Sequence, residues 1–455
     1  MNEQRSTDHG PASPKVLLTD TNRWALPALL AVALAECGCE VTAICPAPNH
    51  ALMSTRAVQR TFRYSAFRPL DSLEAAIKAV NPDIVVPACD RSVGHLHELY
   101  ARSKTQGSAG SKAVELIERS LGAPSSYNVV SSRYNLLTIA RELGILVPDT
   151  VQVSSREELE DWSKQETLPW VVKADGTWGG VGVRVVESAD KIDSSWRELT
   201  QIPRFARALK RMAVNRDSFL FRTWWKGIEH PLVVQSYIHG RPANCTVFAD
   251  RGRVLAIIAV EVVSSEGSTG PANIVRVVEN PQMKLAAEKL AARLELSGFF
   301  GLDFMIEQRS HAAHLIEMNP RLTPPCYLRL GKGRDLVGAM WAQLSGKPVP
   351  EHPSATEKEL IAYHPQPQHE YEIESSYFHD VPHNEPELIR ELLNPYPDRT
   401  ILFRLVQYLN RRSIASSVFE TSFRGSRQKF GDGPRGGGDC ADDELDSPVE
   451  KAQVR

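Results

Sequence analysis

Hydrophobic and polar positions along the first quarter of the chain form short apolar runs separated by segments with helical spacing. Lys15–Asp20 (KVLLTD) is an apolar run closed by turn residues, the pattern of a buried parallel strand. Trp24–Cys37 is apolar nearly all round, with Pro27 near its start and Gly38 just past its end, and predicts a buried helix. Glu40–Cys45 (EVTAIC) predicts a second strand. Leu70–Val80 predicts a helix with Leu73, Ile77 and Val80 on one face, and Asp83–Cys89 (DIVVPAC) a third strand. Strands alternating with helices predict a parallel, doubly wound sheet over residues 15–120.

Farther along, Ser131 and Ser132 precede a helical stretch with Leu136, Leu137, Ala140 and Leu143 on one face, stopped by Gly144 and Pro148. Strands are expected at Leu168–Ala174, Val181–Val186, Leu232–Ile238, Cys245–Asp250 and Arg253–Val260, with Asp250, Arg251 and Gly252 forming a hairpin turn. Pro281–Glu295 reads as a helix with Gly298 beyond its end, and Phe299–Glu307 and Ala312–Met318 as two more strands. Past Pro348 the pattern weakens, although Pro386–Leu393 and Thr400–Arg411 keep helical spacing. From Gly425 the chain is Gly-rich and then acidic, with no basic residue from Asp439 to Glu450, a composition that predicts disorder. The expected organisation is a disordered arm at 1–14, a Rossmann-like α/β unit at 15–120, and a mixed α+β unit at 126–347 with a basic insertion at about 196–230. An extension at 348–424 and an acidic tail at 425–455 follow.

Composition narrows the function. The 455 residues are 42% hydrophobic and 24% charged, enough to bury more than one core. Lys and Arg number 53 against 55 Asp and Glu, so the net charge of -2 offers no chain-wide attraction for nucleic acid. Seven cysteines without a CxxC exclude a disulfide scaffold and a zinc ribbon, and fit a reducing compartment. The polar N-terminal arm has no apolar core of a secretory signal. The longest apolar stretch, Trp24–Cys37, is shorter than the roughly 20 residues that cross a membrane. A cytoplasmic protein is expected. A dinucleotide fold would need GxGxxG after the first strand, where the sequence instead reads Thr19, Asp20, Thr21, Asn22, Arg23.

Two motifs carry chemistry. KADGTWGGVG, from Lys173 to Gly182, lies between two predicted strands. Gly176, Gly179, Gly180 and Gly182 let a backbone approach a ligand and aim N–H groups at it, which suits phosphate, and the Lys173 ammonium can reach the same anion. A Gly-rich hairpin without a ligand is the alternative. The second motif is GLDF (301–304) followed by EMNPR (317–321). With a loop at Gln308–Ala312, Glu307 faces Ala313 and Asp303 faces Glu317, and Asn319 shares their face. Carboxylates opposite one another repel, and a cation relieves them. Two carboxylates and an amide suit Mg²⁺ completed by water and phosphates. A solvated edge paired with Lys or Arg is the bland counterpart.

The run from Arg133 to Arg321 resembles the ATP-grasp fold of carboxylate–amine ligases and of carbamoyl-phosphate synthetase-type ATP-binding domains. Arg133 stands where that family opens with a phosphate-binding Lys or Arg. PWVVK (169–173) resembles the strand whose Lys binds ATP phosphates, and the Gly-rich loop follows it. VQSYIHG (234–240), with Gln235, Tyr237 and Ile238, resembles the hinge that clasps adenine. GLDF and EMNPR resemble the metal strands, with Arg321 beside the transferred phosphate. Two departures stand out: Ser236 occupies an often acidic hinge position, and Pro242 a position often held by Glu. The resemblance implies an ATP- and Mg²⁺- (or Mn²⁺-) dependent ligase joining a small-molecule carboxylate to an amine through an acyl phosphate. Lys173 and Arg321 would be its catalytic cations, and Asp303, Glu317 and Asn319 its metal ligands. A silent nucleotide-binding regulator, a dinucleotide oxidoreductase and a carboxylation-type enzyme of the same fold stay open, the last without a biotinyl Met-Lys-Met segment.

Other features read less sharply. His95 and His97 lack a second pair at zinc spacing, and Cys326 reads as a buried structural thiol. The stretch from Ser268 to Arg276 either brings Arg276 to substrate or is a plain connection. Between the Gly-rich loop and the hinge, Arg204, Arg207, Lys210, Arg211, Arg216, Arg222 and Lys226 meet a single acid, Asp217. That segment reads as a solvated helix, a basic lid over ATP or an anionic substrate, or an interfacial helix touching membrane.

Overall fold

The computed structural model describes residues 13–46, 50–105, 112–174, 182–200, 232–265, 270–364 and 376–393. All of them fall within one compact unit. The first sheet is parallel, with strands β1 (Lys15–Thr19), β2 (Glu40–Cys45), β3 (Val58–Arg63) and β4 (Ile84–Pro87) in the order β3-β2-β1-β4. The expected strands lie where their apolar runs are. β3 escaped the pattern because it is a free edge with mostly exposed residues and no apolar alternation. The helix Leu26–Glu36 buries eight of its residues, with Pro27 tolerated in its first turn. Gly38 follows in the left-handed region, at φ 83°.

A second sheet is antiparallel. Its strands β5 (Thr150–Val153), β6 (Trp170–Ala174), β7 (Val183–Val186) and β8 (Leu232–Ser236) take the order β5-β8-β6-β7. The third sheet has seven strands: β9 (Gly240–Asp250), β10 (Arg253–Ser265), β11 (Ala272–Val278), β12 (Gly298–Glu307), β13 (Ala313–Asn319), β14 (Leu360–Tyr363) and β15 (Phe378–Asp380). Their order is β13-β12-β9-β10-β11-β14-β15, antiparallel except for the last pair. Arg251 and Gly252 both take positive φ, 46° and 82°, between the paired Asp250 and Arg253, the type of two-residue turn expected there. The helix Pro281–Leu294 is capped by the Asn280 side chain, which accepts from the backbone of Gln282 and Met283.

Both faces of the seven-stranded sheet are covered. One packs on the helices Pro281–Leu294 and Arg133–Glu142 through Ala243, Cys245, Leu290, Phe304 and Leu315. The other shares a core with the N-terminal helix, in which Leu30, Leu34, Phe248, Val260, Val275 and Leu322 are buried together. Full burial of side chains of this size stabilises by about 1.5–3 kcal/mol each. Residues 360–364 and 376–393 contribute to that same core through Ile361, Leu388 and Leu392. β14 and β15 extend the sheet, and Leu388 and Leu392 of the helix Pro386–Leu393 are buried in it. Among the described residues no helix is long and apolar enough to cross a membrane.

Candidate functional site

The site is built on the β12–β13 hairpin. Near the turn the register is one residue off the expected one, because Ala313 faces Ile306 rather than Glu307. A β-bulge then restores it. Phe304 faces Leu315, Asp303 faces Glu317, and Ile316 is passed over in the ladder. Asp303 thus stands opposite Glu317, and Gly301 opposite Asn319. The close approach of the segment after β13 requires Gly301. A Cβ there would meet the Thr323 Oγ1 at 2.4 Å.

The two carboxylates are held differently. Asp303 accepts from the amides of Asn244 (2.6 Å) and Asn319 (2.8 Å). Burial, followed by the charge of Glu317, raises its pKa above the usual Asp value despite those bonds. Burial pushes Glu317 up as well, but the charges of Arg133 and Lys173 outweigh it and leave the carboxyl below its usual value. Arg133 sits in the first turn of the helix Arg133–Glu142, whose cap is the Ser132 hydroxyl. Its Nη2 donates to Glu317 Oε1 at 2.8 Å, and its Nη1 to the carbonyl of Ala174, the last residue before the Gly-rich loop, at 3.0 Å. Lys173, on β6, is buried and donates to the Ile316 carbonyl at 3.3 Å. Gln235, on β8, donates to the same oxygen at 3.4 Å. The bulge therefore turns a main-chain oxygen of the seven-stranded sheet toward two side chains of the four-stranded one.

Arg321 completes the set. Its Nη2 donates to Asn319 Oδ1 at 3.0 Å and its Nη1 to the Leu322 carbonyl at 3.0 Å. Its Nε donates to Asp90 at 2.9 Å, and burial alone would lower its pKa, yet Asp90 keeps it raised. Tyr237 and Ile238 lie in the link between β8 and β9, where the Tyr237 N–H donates to the Pro169 carbonyl at 3.2 Å. Gly182 accepts at its carbonyl from the Ala174 N–H at 2.9 Å, closing the base of the Gly-rich loop. Gly176, Gly179 and Gly180 lie outside the described residues, as does the basic run from Arg204 to Lys226.

One expected residue is set apart. Arg276 faces Glu261 in the ladder, Glu261 faces Ala243, and Ala243 faces Phe304, so it lies on the sheet face opposite Asp303 and Asn244. It is exposed, on the sheet face turned away from the two carboxylates. The stretch that looked like a connection is partly the strand β11. His97 stacks on Tyr127 at 4.0 Å, where burial pushes its pKa down to about 4, and Cys326 is a fully buried thiol pushed up by burial. Cys326 is a core residue, and His97 is part-buried. Sequence reasoning missed Asn244 and Asp90. The signal for Asn244 was present: Asn244 and Thr246 alternate with Ala243, Cys245 and Val247, which marks a polar face on a buried strand. Asp90 gave none, since an acid in a helix's first turn is ordinary.

The donor set fits a hard cation. Among the described residues no cluster of three or more His, Cys, Asp and Glu side chains suited to a metal occurs. Two carboxylates and an amide oxygen are instead the sparse set that Mg²⁺ uses when water and phosphates supply the rest. The Asn319 oxygen, already an acceptor from Arg321, keeps a second lone pair for a ligand.

A family model described as an ATP-grasp domain matches residues 206–325. A formate-dependent phosphoribosylglycinamide formyltransferase of Bifidobacterium adolescentis is 28% identical over 156 residues, 34% of this chain and 36% of that protein. The carbamoyl phosphate synthase large chain of Saccharolobus islandicus is 23% identical over 261 residues, 54% of this chain and 22% of that protein. The chain thus spans about a third and about a fifth of these relatives. An N5-carboxyaminoimidazole ribonucleotide synthetase solved as its ADP complex superposes with a TM-score of 0.54 at 12% identity, covering 76% of this chain and 80% of that one. At that identity the likeness concerns the fold.

Proposed function

For this chain, which belongs to the ATP-grasp superfamily, we propose ATP- and Mg²⁺-dependent ligation of a carboxylate to an amine, with release of ADP and phosphate. The observation that carries the reading is Asp303 opposite Glu317, beside Asn319, with Arg133, Lys173 and Arg321 converging on them. The relatives with sequence similarity, one of them formate-dependent by name, support a small acid as one substrate.

Lys173 and Arg133 hold the ATP phosphates, and Gln235, Tyr237 and Ile238 line the adenine end. Asp303, Glu317 and Asn319 would hold Mg²⁺, which would neutralise phosphate charge when bound. The acid's carboxylate oxygen attacks the γ-phosphorus, the bond to the bridging oxygen breaks, and ADP leaves. The amine nitrogen then attacks the carbonyl carbon of the acyl phosphate, phosphate departs, and the amine's proton passes to solvent. Arg321 stabilises charge on the transferring group, and the chain's contribution is positioning and electrostatics. Glu317 and Arg133 form an ion pair at 2.8 Å.

The test is a screen of acid and amine pairs with an ADP-release readout and mass detection of the product. ADP and phosphate with a condensed product are expected. AMP and pyrophosphate would refute the acyl-phosphate route, and binding of ATP with no turnover for any pair would favour a regulatory role.

A further inference from the structure

We propose that Asp90 and Trp24, both from the N-terminal parallel-sheet region, are positioning residues that hold Arg321 at the transferring phosphoryl group. The proposal rests on the ligase reading for what Arg321 does. It rests on the geometry for how Arg321 is held.

Arg321 lies just past the end of β13, outside any strand or helix. An arginine there has rotamer freedom worth about 2 kcal/mol, which fixed contacts must remove if its fork is to be aimed. All three guanidinium nitrogens have such contacts. Nη1 and Nη2 bond to Leu322 and Asn319, close neighbours in sequence that move with Arg321. The contacts that come from elsewhere are the Asp90 carboxylate on Nε at 2.9 Å and the Trp24 ring, whose centroid is 5.4 Å from the guanidinium carbon. Asp90 opens the helix Asp90–Thr105 just after β4, and Trp24 lies between β1 and the helix Leu26–Glu36. Both are anchored by the parallel sheet, and the Leu322 N–H donates to the Pro87 carbonyl at the end of β4 at 3.3 Å, fixing the same edge.

Three of the five guanidinium N–H donors are thereby used. The remaining two, one each on Nη1 and Nη2, can donate to oxygens of a phosphoryl group. A chain of contacts then runs Asp90–Arg321–Asn319–Asp303–Asn244, joining the parallel sheet to the candidate metal carboxylate. The ordinary alternative is that Asp90 merely stabilises its helix N-terminus. Asp90→Asn removes the charge in either role, so the readout separates them. A helix-terminus role lowers stability and affects both nucleotides alike, whereas positioning of Arg321 lowers only the preference for the γ-phosphoryl group.

The experiment uses the full chain and four variants: Asp90→Asn, Asp90→Glu, Trp24→Leu and Arg321→Lys. Affinities for Mg²⁺·AMPPNP and Mg²⁺·ADP are measured by calorimetry, because only the first carries a γ-phosphoryl group. Asp90→Asn is expected to reduce the preference for AMPPNP over ADP about tenfold, the worth of one charge-assisted hydrogen bond, with ADP affinity within about twofold. Trp24→Leu should reduce it about three- to fivefold, and Asp90→Glu should restore most of the preference. In an Arg321→Lys background, Asp90→Asn should add nothing, since it acts through Arg321. An unchanged preference in Asp90→Asn, or an equal loss for both nucleotides, would overturn the proposal. With a turnover assay in hand, the expected signature is a fall in kcat with KM for ATP unchanged. Absence of ADP release from the unmodified chain with every acid and amine pair would count against the ligase reading, while the nucleotide preference would still decide the role of Asp90.

Discussion

Neutralising each of the two facing carboxylates should move stability in opposite directions. Asp303→Asn removes one of two negative charges about 5 Å apart across a strand pair. At an effective dielectric constant of ~20 that repulsion is ~3 kcal/mol. The asparagine keeps one acceptor oxygen for two amide donors, Asn244 and Asn319, so one charge-assisted bond is lost, costing ~1–3 kcal/mol. The net is a variant between equally stable and ~2 kcal/mol more stable. Glu317→Gln instead strips the partner from Arg133 at 2.8 Å and from the nearby Lys173. Breaking one side of a largely buried pair costs ~3–5 kcal/mol. For a cooperative unit within residues 1–396, 1 kcal/mol corresponds to about 1 °C in Tm. Thermal unfolding at pH 7 without nucleotide should therefore show Asp303→Asn at or up to about 2 °C above the unmodified chain and Glu317→Gln about 3–5 °C below it. The pH dependence has matching signs. The Asp303 penalty lifts as pH falls through a folded pKa raised above 3.8, and the Glu317 contribution is lost as pH falls through a folded pKa below 4.5. Both differences should fade in acid. Equal destabilisation by the two substitutions would show that no repulsion is stored there, and the cation argument would lose its foundation.

Other expectations follow from the same geometry. Lys173→Met should weaken ATP at least tenfold while leaving adenosine nearly unchanged; equal losses in a binding titration would make Lys173 a structural residue. Gly301→Ala should destabilise by ~1–3 kcal/mol through the Thr323 clash, with partial rescue by Gly301→Ala/Thr323→Ala, read by urea unfolding. Burial raises Asp380 from 3.8 to about 6, against the hydrogen bond from the Tyr327 hydroxyl. Its protonated form thus favours the fold, a contribution of up to ~3 kcal/mol that is complete below pH 3.8 and lost as pH rises through about 6. Asp380→Asn should flatten stability over that window, and an unaltered pH profile would contradict the assignment.

The strands and helices that carry apolar periodicity were legible in the sequence. β2 ends where its run EVTAIC ends, and the helix Pro281–Leu294 begins at the proline that marks it. β3 and β11 were not legible: one is an exposed edge, and the other mixes exposed Arg276 with a short apolar core. The facing of Asp303 and Glu317 was expected from a regular hairpin, yet it arises from two compensating irregularities, a one-residue slip at the turn and the bulge at Ile316. Symmetric pairing of two regular strands anticipates neither. The partner of Arg321 was unreadable for another reason. Asp90 and Arg321 lie far apart in the chain, and only tertiary packing joins them.

The bulge has a consequence for how this protein would look under mutagenesis. Ile316 presents its carbonyl to Lys173 and Gln235, and every substitution by another amino acid leaves that carbonyl in place. A scan of side chains would score position 316 as tolerant while a main-chain atom there anchors a cation of the candidate nucleotide site. Backbone chemistry would expose it. Replacing residue 317 with its α-hydroxy acid turns the 316–317 amide into an ester, whose carbonyl is a weaker acceptor, while every side chain is preserved. The vulnerability of this hairpin is thus written partly in peptide bonds, where no codon change can reach it.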